Sequence, residues 1–169
     1  MIIEIEDYDG IISLVNAATY QPFVDENWEL EQLKSHFIHQ MKLNTILVWQ
    51  TNNHGGGSWK VNCLTEESNE AAHSEFTAFI EVTDGKLYLA DYTDLTMAAQ
   101  FSTDTIPAEG HADQVYEIVN GSYQVKVKRL FHPEEEVKEN NIAFELVFTR
   151  TDQVNTNPVD QLFWYTYSL

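Results

Sequence analysis

FIEVTDGKLYLADY, residues 79–92, and VYEIVNGSYQVKV, residues 115–127, read almost as two variants of one pattern. In each, an alternating apolar run meets Asp-Gly or Asn-Gly and a second alternating run follows. A two-residue type I′ turn needs φ > 0 at both central positions, which these dipeptides supply, so the stretches predict two β-hairpins. Their glycines, Gly85 and Gly121, lie 36 residues apart. Two copies are too few for a solenoid, and the repeat fits chance similarity better than duplication inside one sandwich.

Working outward, MIIEIE alternates weakly, Tyr8-Asp9-Gly10 is a turn, and IISLVNA is a second apolar run that leans to strand on its β-branched content. A helix is predicted over about Glu26–Leu43. Asp25 serves as its N-cap, Glu26 and Glu29 favour the positive end of the dipole, and Leu30, Leu33, Phe37 and Met41 form a core-facing stripe. TILVWQ and WKVNCL read as strands joined by a hairpin loop, TNNHGGGS. TEESNEAAHSE is an acidic loop or short helix that crosses the fold, and HPEEEVKENN a second acidic loop. TDLTMAAQF fits a strand or one helical turn equally. IAFELVFTR alternates as a strand, DQVNTNPVD is a polar turn, and QLFWYTY reads as a last aromatic strand. The expected class is mainly β: an antiparallel β-sandwich or partly open barrel of roughly nine strands with one amphipathic helix, in a single domain over residues 1–169.

At 169 residues the chain can bury about 70% of its unfolded surface, so no disulfide or metal is needed to hold it. The lone Cys63 has no CxxC or Cys-His spacing; it reads as a buried strand thiol and favours a reducing compartment. The N-terminus carries acids where a signal peptide has a basic region, and no apolar run approaches a membrane span, which points to the cytoplasm. The net charge of −18, from 27 acids against nine Lys and Arg, exceeds what solubility asks of a small domain. Such charge attracts a cationic partner, while the competing reading is a solvated acidic surface. Binding to nucleic acid or an anionic membrane is argued against, since Lys126, Lys128 and Arg129 form the only basic run, with Lys126 and Lys128 expected on one exposed strand face.

Motifs for chemistry are weak. HGGGS, residues 54–58, matches the letters of an oxyanion-hole loop, but no GxSxG elbow accompanies it. His36 and His39 have a metal-compatible spacing without a supporting carboxylate pattern. Asp91 and Asp94 read as a capping or turn pair rather than a cation loop. No cofactor, metal site or catalytic residue is therefore assigned. Two features fit a protein interface better. Glu66, Glu67 and Glu70 in one loop, and Glu134, Glu135, Glu136 and Glu139 in the other, are the candidate partner-binding residues. Trp49, Trp59, Phe163, Trp164, Tyr165 and Tyr167 lie in expected strands where alternation exposes about half of them, and any exposed beside the carboxylates would be an anchor.

With DGKLYLADY, a Pro-bearing loop, GSYQVKV and IAFELVF in view, residues 76–150 resemble in order of elements the bacterial acidic β-proteins of the competence protein J type. The N-terminal third lies outside the likeness, and no inhibitory residue is matched one by one. The resemblance implies an inhibitor of a partner nuclease, or a toxin-neutralising immunity protein of related architecture. The function expected is thus non-catalytic binding to a basic protein partner, a nuclease or toxin. The alternative is a small-ligand or carbohydrate-binding β-sandwich, or a hydrolase, using exposed aromatics and the glycine loop.

Overall fold

The structure, a computed structural model, describes residues 1–153 and 155–167. Val154, inside the stretch read as a polar turn, and Ser168 and Leu169 lie outside the described residues. In chain order the elements are β1 (Ile2–Asp7), β2 (Ile11–Val15), α1 (Leu30–Lys42), β3 (Ile46–Gln50), β4 (Gly57–Leu64), β5 (Ser74–Val82), β6 (Lys86–Asp91), α2 (Tyr92–Gln100), β7 (Val115–Glu117), β8 (Gly121–Arg129) and β9 (Ile142–Thr151). They form a five-stranded sheet, β1-β4-β9-β8-β5, facing a four-stranded sheet, β3-β2-β6-β7. The two inner faces share one core that includes Ile80, Val61, Leu14, Leu89 and Phe144. Both helices pack on the outer face of the smaller sheet through a second core of Leu33, Phe37, Met41, Leu95 and Val48. Each large side chain fully buried in these layers contributes about 1.5–3 kcal/mol relative to leaving it in water. The architecture is the expected β-sandwich, with every strand pair antiparallel except β4 and β9, which run parallel.

Neither of the two defining stretches is a hairpin. β5 pairs with β8 in the larger sheet, and β6 pairs with β2 and β7 in the smaller one. Asp84-Gly85 and Asn120-Gly121 therefore turn the chain from one sheet to the other. The two arches lie against each other: Gly85 N donates to Asn120 Oδ1 at 2.6 Å and Ile118 N to Gly85 O at 3.0 Å. Gly85 sits at φ +70°, the conformation for which glycine was read, but the turn it serves is an arch. The connections β1–β2 and β3–β4 cross between sheets in the same way, so the glycine-rich TNNHGGGS is also an arch and not a hairpin loop.

The helix begins later than its acidic prelude suggests. Glu29 is the N-cap, in a capping box with Gln32, while Asp25 closes a separate turn by accepting from Asn27 N at 2.8 Å. Residues 93–100, which fit strand and helix equally by sequence, belong to α2, and Asp91 caps it by accepting from Asp94 N at 2.9 Å. The stretch QLFWYTY is not a strand: only Phe163 bridges to Trp49. Phe163 is held by backbone bonds, Gln50 N to Phe163 O at 3.0 Å and Phe163 N to Val48 O at 3.2 Å. Thr166 is held by the Gln50 side chain, whose Nε2 donates to Thr166 Oγ1 at 2.9 Å and whose Oε1 accepts from Thr166 N at 2.8 Å. The segment so covers the open edge of β3. Among the described residues no helix is long and apolar enough to cross a membrane.

Candidate partner-binding surface

Strand order dictates where the first acidic loop goes. β4 and β5 run in the same direction with β9 and β8 between them, so residues 65–73 must pass over the outer face of the larger sheet. Three contacts seat the crossing. Lys126 Nζ lies 3.1 Å from both carboxylate oxygens of Glu67, Lys128 Nζ donates to Glu70 O at 2.6 Å, and Ser68 Oγ donates to Glu145 Oε1 at 2.6 Å. Beneath it, Lys128 and Glu145 form an ion pair at 3.4 Å with both side chains 3% exposed. The face expected to display Lys126 and Lys128 is therefore covered, and Lys128 is buried because its charge is matched across the register by Glu145.

The second loop, residues 130–141, joins the adjacent strands β8 and β9 at the end of the sheet where β5 begins. Phe131 stacks on Trp59 with ring centroids 5.2 Å apart, and Val137 packs against the core. The β3–β4 arch clamps the loop from the side: Asn53 N donates to Pro133 O at 3.0 Å, His54 Nε2 to Glu134 O at 2.6 Å, and Asn53 Nδ2 to the Glu134 carboxylate. Gly56 makes that arch possible, since at φ +109° a Cβ there would stand 2.1 Å from Asp7 O. The glycine loop is thus a support for the acidic loop.

The two loops meet in a pair of polar clefts that share Leu130, Asn141 and Ile142. One, of about 500 Å³, is lined by Glu135, Glu136 and Lys138 with His73 and His132, whose rings stand 4.7 Å apart. The other, of about 590 Å³, is lined by Glu70 with Ser68, Asn62 and Glu145. Glu139 lies to the side, in a groove with Glu4, Glu6 and Lys60 on β1 and β4. Glu66 is exposed on the crossing loop. Of the seven glutamates, Glu67 and Glu134 are held by their own contacts, Glu70, Glu135 and Glu136 border the joined clefts, and Glu139 and Glu66 flank them. Glu4 and Glu6 were missed, although the alternation of MIIEIE puts both on one outward face.

The aromatic expectation needs correction. Trp49 and Trp59 are 0% and 4% exposed, and Phe163, Trp164, Tyr165 and Tyr167 are half-buried, so none of the six stands free beside the carboxylates. Trp49 sits between both sheets, near Phe76 and Phe144. Trp59 donates Nε1 to Asp7 Oδ2 at 3.0 Å. Alternation fails as a guide because the smaller sheet is covered on both faces and the tail lies outside any sheet. The aromatics most exposed to solvent are Tyr8, Phe23 and Phe101. Cys63 is the buried strand thiol expected, and burial pushes it up to about 12. On α1, His36 Nε2 donates to Gln21 O at 2.7 Å, and burial lowers the affinity of its ring for a second proton.

No protein-family model matches the chain, and no curated protein matches it in sequence. Two solved structures share its fold. The protein of crocagin biosynthetic gene J superposes with a TM-score of 0.55 and 14% identity, over 88% of this chain and 96% of that one. ComJ from Bacillus subtilis, inhibitor of the DNA degrading activity of NucA, superposes with a TM-score of 0.52 and 8% identity, over 89% of this chain and 96% of that one. The fold resembles that of ComJ-type proteins. The superposition extends the likeness past residues 76–150 to the N-terminal third, and at these identities it is a likeness of fold alone.

Proposed function

We propose that the chain is a non-catalytic acidic protein that covers a basic site on a partner, most concretely as an inhibitor or immunity protein for a nuclease or toxin. The carrying observation is the convergence of the 65–73 and 130–141 loops at one end of the five-stranded sheet, with Glu70, Glu135 and Glu136 around adjoining clefts. Carboxylates held there on anchored loops can stand in for phosphate oxygens without full desolvation. The likeness of fold to ComJ, an inhibitor of the DNA degrading activity of NucA, supports the same reading. A cytoplasmic location belongs to the reading, supported by the single buried thiol. The carbohydrate-binding alternative has less support, since neither Trp49 nor Trp59 offers a ring face to a sugar.

The test uses the purified chain as bait in an extract of its own organism at low salt, in parallel with a variant carrying Glu66, Glu70, Glu135, Glu136 and Glu139 each changed to Lys. Glu67 and Glu134 are spared because they hold the loops. The reading expects a basic protein that the wild type captures and the variant does not, and whose DNA-degrading or toxic activity falls when the chain is added. Equal capture by the two baits would overturn it.

A further inference from the structure

A cleft of about 220 Å³ lies between α1, the β1–β2 arch, the start of α2 and the C-terminal segment. Its floor is Leu33 and Phe37, and its walls carry the rings of Tyr92, Tyr165 and Tyr167 with Asp9 and Lys34. The volume is below the roughly 300–1,000 Å³ of sites for drug-sized ligands, so the cleft suits a group the size of one long side chain. Its parts are fixed. Tyr165 and Tyr167 meet edge to face at 5.7 Å, Tyr167 Oη donates to Asp9 O at 3.4 Å, and Thr93 Oγ1 donates to Asp9 Oδ2 at 3.3 Å.

The chemistry of the walls selects for sign. Aromatic faces attract cations through the ring quadrupole, and one face already does so, with Lys34 Nζ 4.8 Å from the Tyr165 centroid. Lys34 is itself paired with Glu31 at 3.4 Å, and the Asp9 carboxylate is the negative charge at the wall. Burial, with the neighbouring Asp9 charge, raises the Tyr92 hydroxyl, and burial with Asp7 and Asp9 raises that of Tyr167, so both phenols remain neutral donors. An anion would meet Asp9, and a neutral apolar group would strip water from it without replacement. We infer that this cleft binds an alkylguanidinium or alkylammonium group, its stem on Phe37 and the tyrosine rings and its cation against Asp9. The inference does not use the acidic loops.

Titration of the full chain with agmatine and, separately, with an arginine residue capped at both ends, followed by amide NMR shifts, tests it. Shifts at Asp9, Lys34 and Tyr92 are expected with either probe; tighter binding of agmatine assigns a free amine, and tighter binding of the capped residue assigns a protein side chain. Asp9→Asn should weaken binding about tenfold, and Tyr165→Leu should weaken it while leaving the unfolding midpoint near that of the wild type. Pentanol or benzoate binding as tightly as agmatine, an unchanged affinity in Asp9→Asn, or no shifts with either cation would overturn the inference.

Discussion

At the scale of single residues, a buried carboxylate and a buried ion pair hold the scaffold behind the acidic loops. The Asp7 carboxylate, 2% exposed, accepts from Asp9 N, Gly10 N and Ile11 N through Oδ1, and from Thr51 Oγ1 and Trp59 Nε1 through Oδ2. Asp7→Ala strands five donors, each costing about 1–3 kcal/mol when buried and unpaired, with water or relaxation recovering part. A loss of at least about 3 kcal/mol in urea unfolding is expected. Lys128 and Glu145 are the second case. Removing one partner of a buried pair costs about 3–5 kcal/mol, whereas an apolar replacement of both is often close to neutral. Lys128→Met should therefore destabilise by that amount, and the double variant Lys128→Met with Glu145→Leu should recover most of it in the same measurement. Lys128→Met alone should also loosen residues 65–73, read as faster amide exchange there, because Lys128 Nζ holds Glu70 O.

At the scale of elements, the start of α2 makes the most specific prediction. His111 Nδ1 donates to Asp94 Oδ2 at 2.7 Å, and that bond raises the His111 pKa above its usual value. Stability from this pair is fully present below about pH 6.5 and is lost as pH rises through the folded value. Asp91 is raised to about 6, first by burial. Because the folded state then binds its proton more tightly than the unfolded chain, stability falls between about pH 4 and about pH 6. Urea unfolding should show both losses in the wild type. Asp91→Asn keeps the cap and should remove the lower one, and His111→Asn the upper one. The same elements show what could be read in advance. β1 and β5 face the core on one side only, so MIIEIE and SEFTAFIEV alternate, and their strand character is legible. β2, β3 and β6 lie between a sheet and a helix layer, so IISLV, ILVWQ and LYLAD are buried almost throughout. That contrast marks two kinds of sheet, yet alternation through Asp-Gly cannot separate a hairpin from an arch, since both keep the same apolar face inward. Asp25 failed as a cap for a similar reason: the local signal was right for a turn, and Glu29 with Gln32 made the better box.

At the scale of the molecule, the 27 acids far outnumber the nine Lys and Arg. Among the described residues, five of the nine Lys and Arg, Lys34, Lys60, Lys86, Lys126 and Lys128, face a carboxylate within salt-bridge distance, and the formal net charge is −18. Near the two loops, Glu135 and Glu136 line one cleft and Glu70 the adjoining one, with Glu4, Glu6 and Glu139 in a third groove. The glutamates were legible as candidates because acidic runs without strand character must be loops. Their convergence was not, because it follows from β4 and β9 running parallel, a long-range pairing that no local pattern encodes. If this surface steers a cationic partner, its effect lies in the encounter step, where focused fields raise association rates by about 10- to 1,000-fold and salt screens them over about 8–10 Å. The most direct measurement is the association rate of the captured partner as ionic strength rises, for the wild type and for the variant with the five free glutamates changed to Lys. A steep fall with salt in the wild type, and a rate at least tenfold lower and nearly independent of salt in the variant, is the predicted result; equal rates with equal salt dependence would contradict the account.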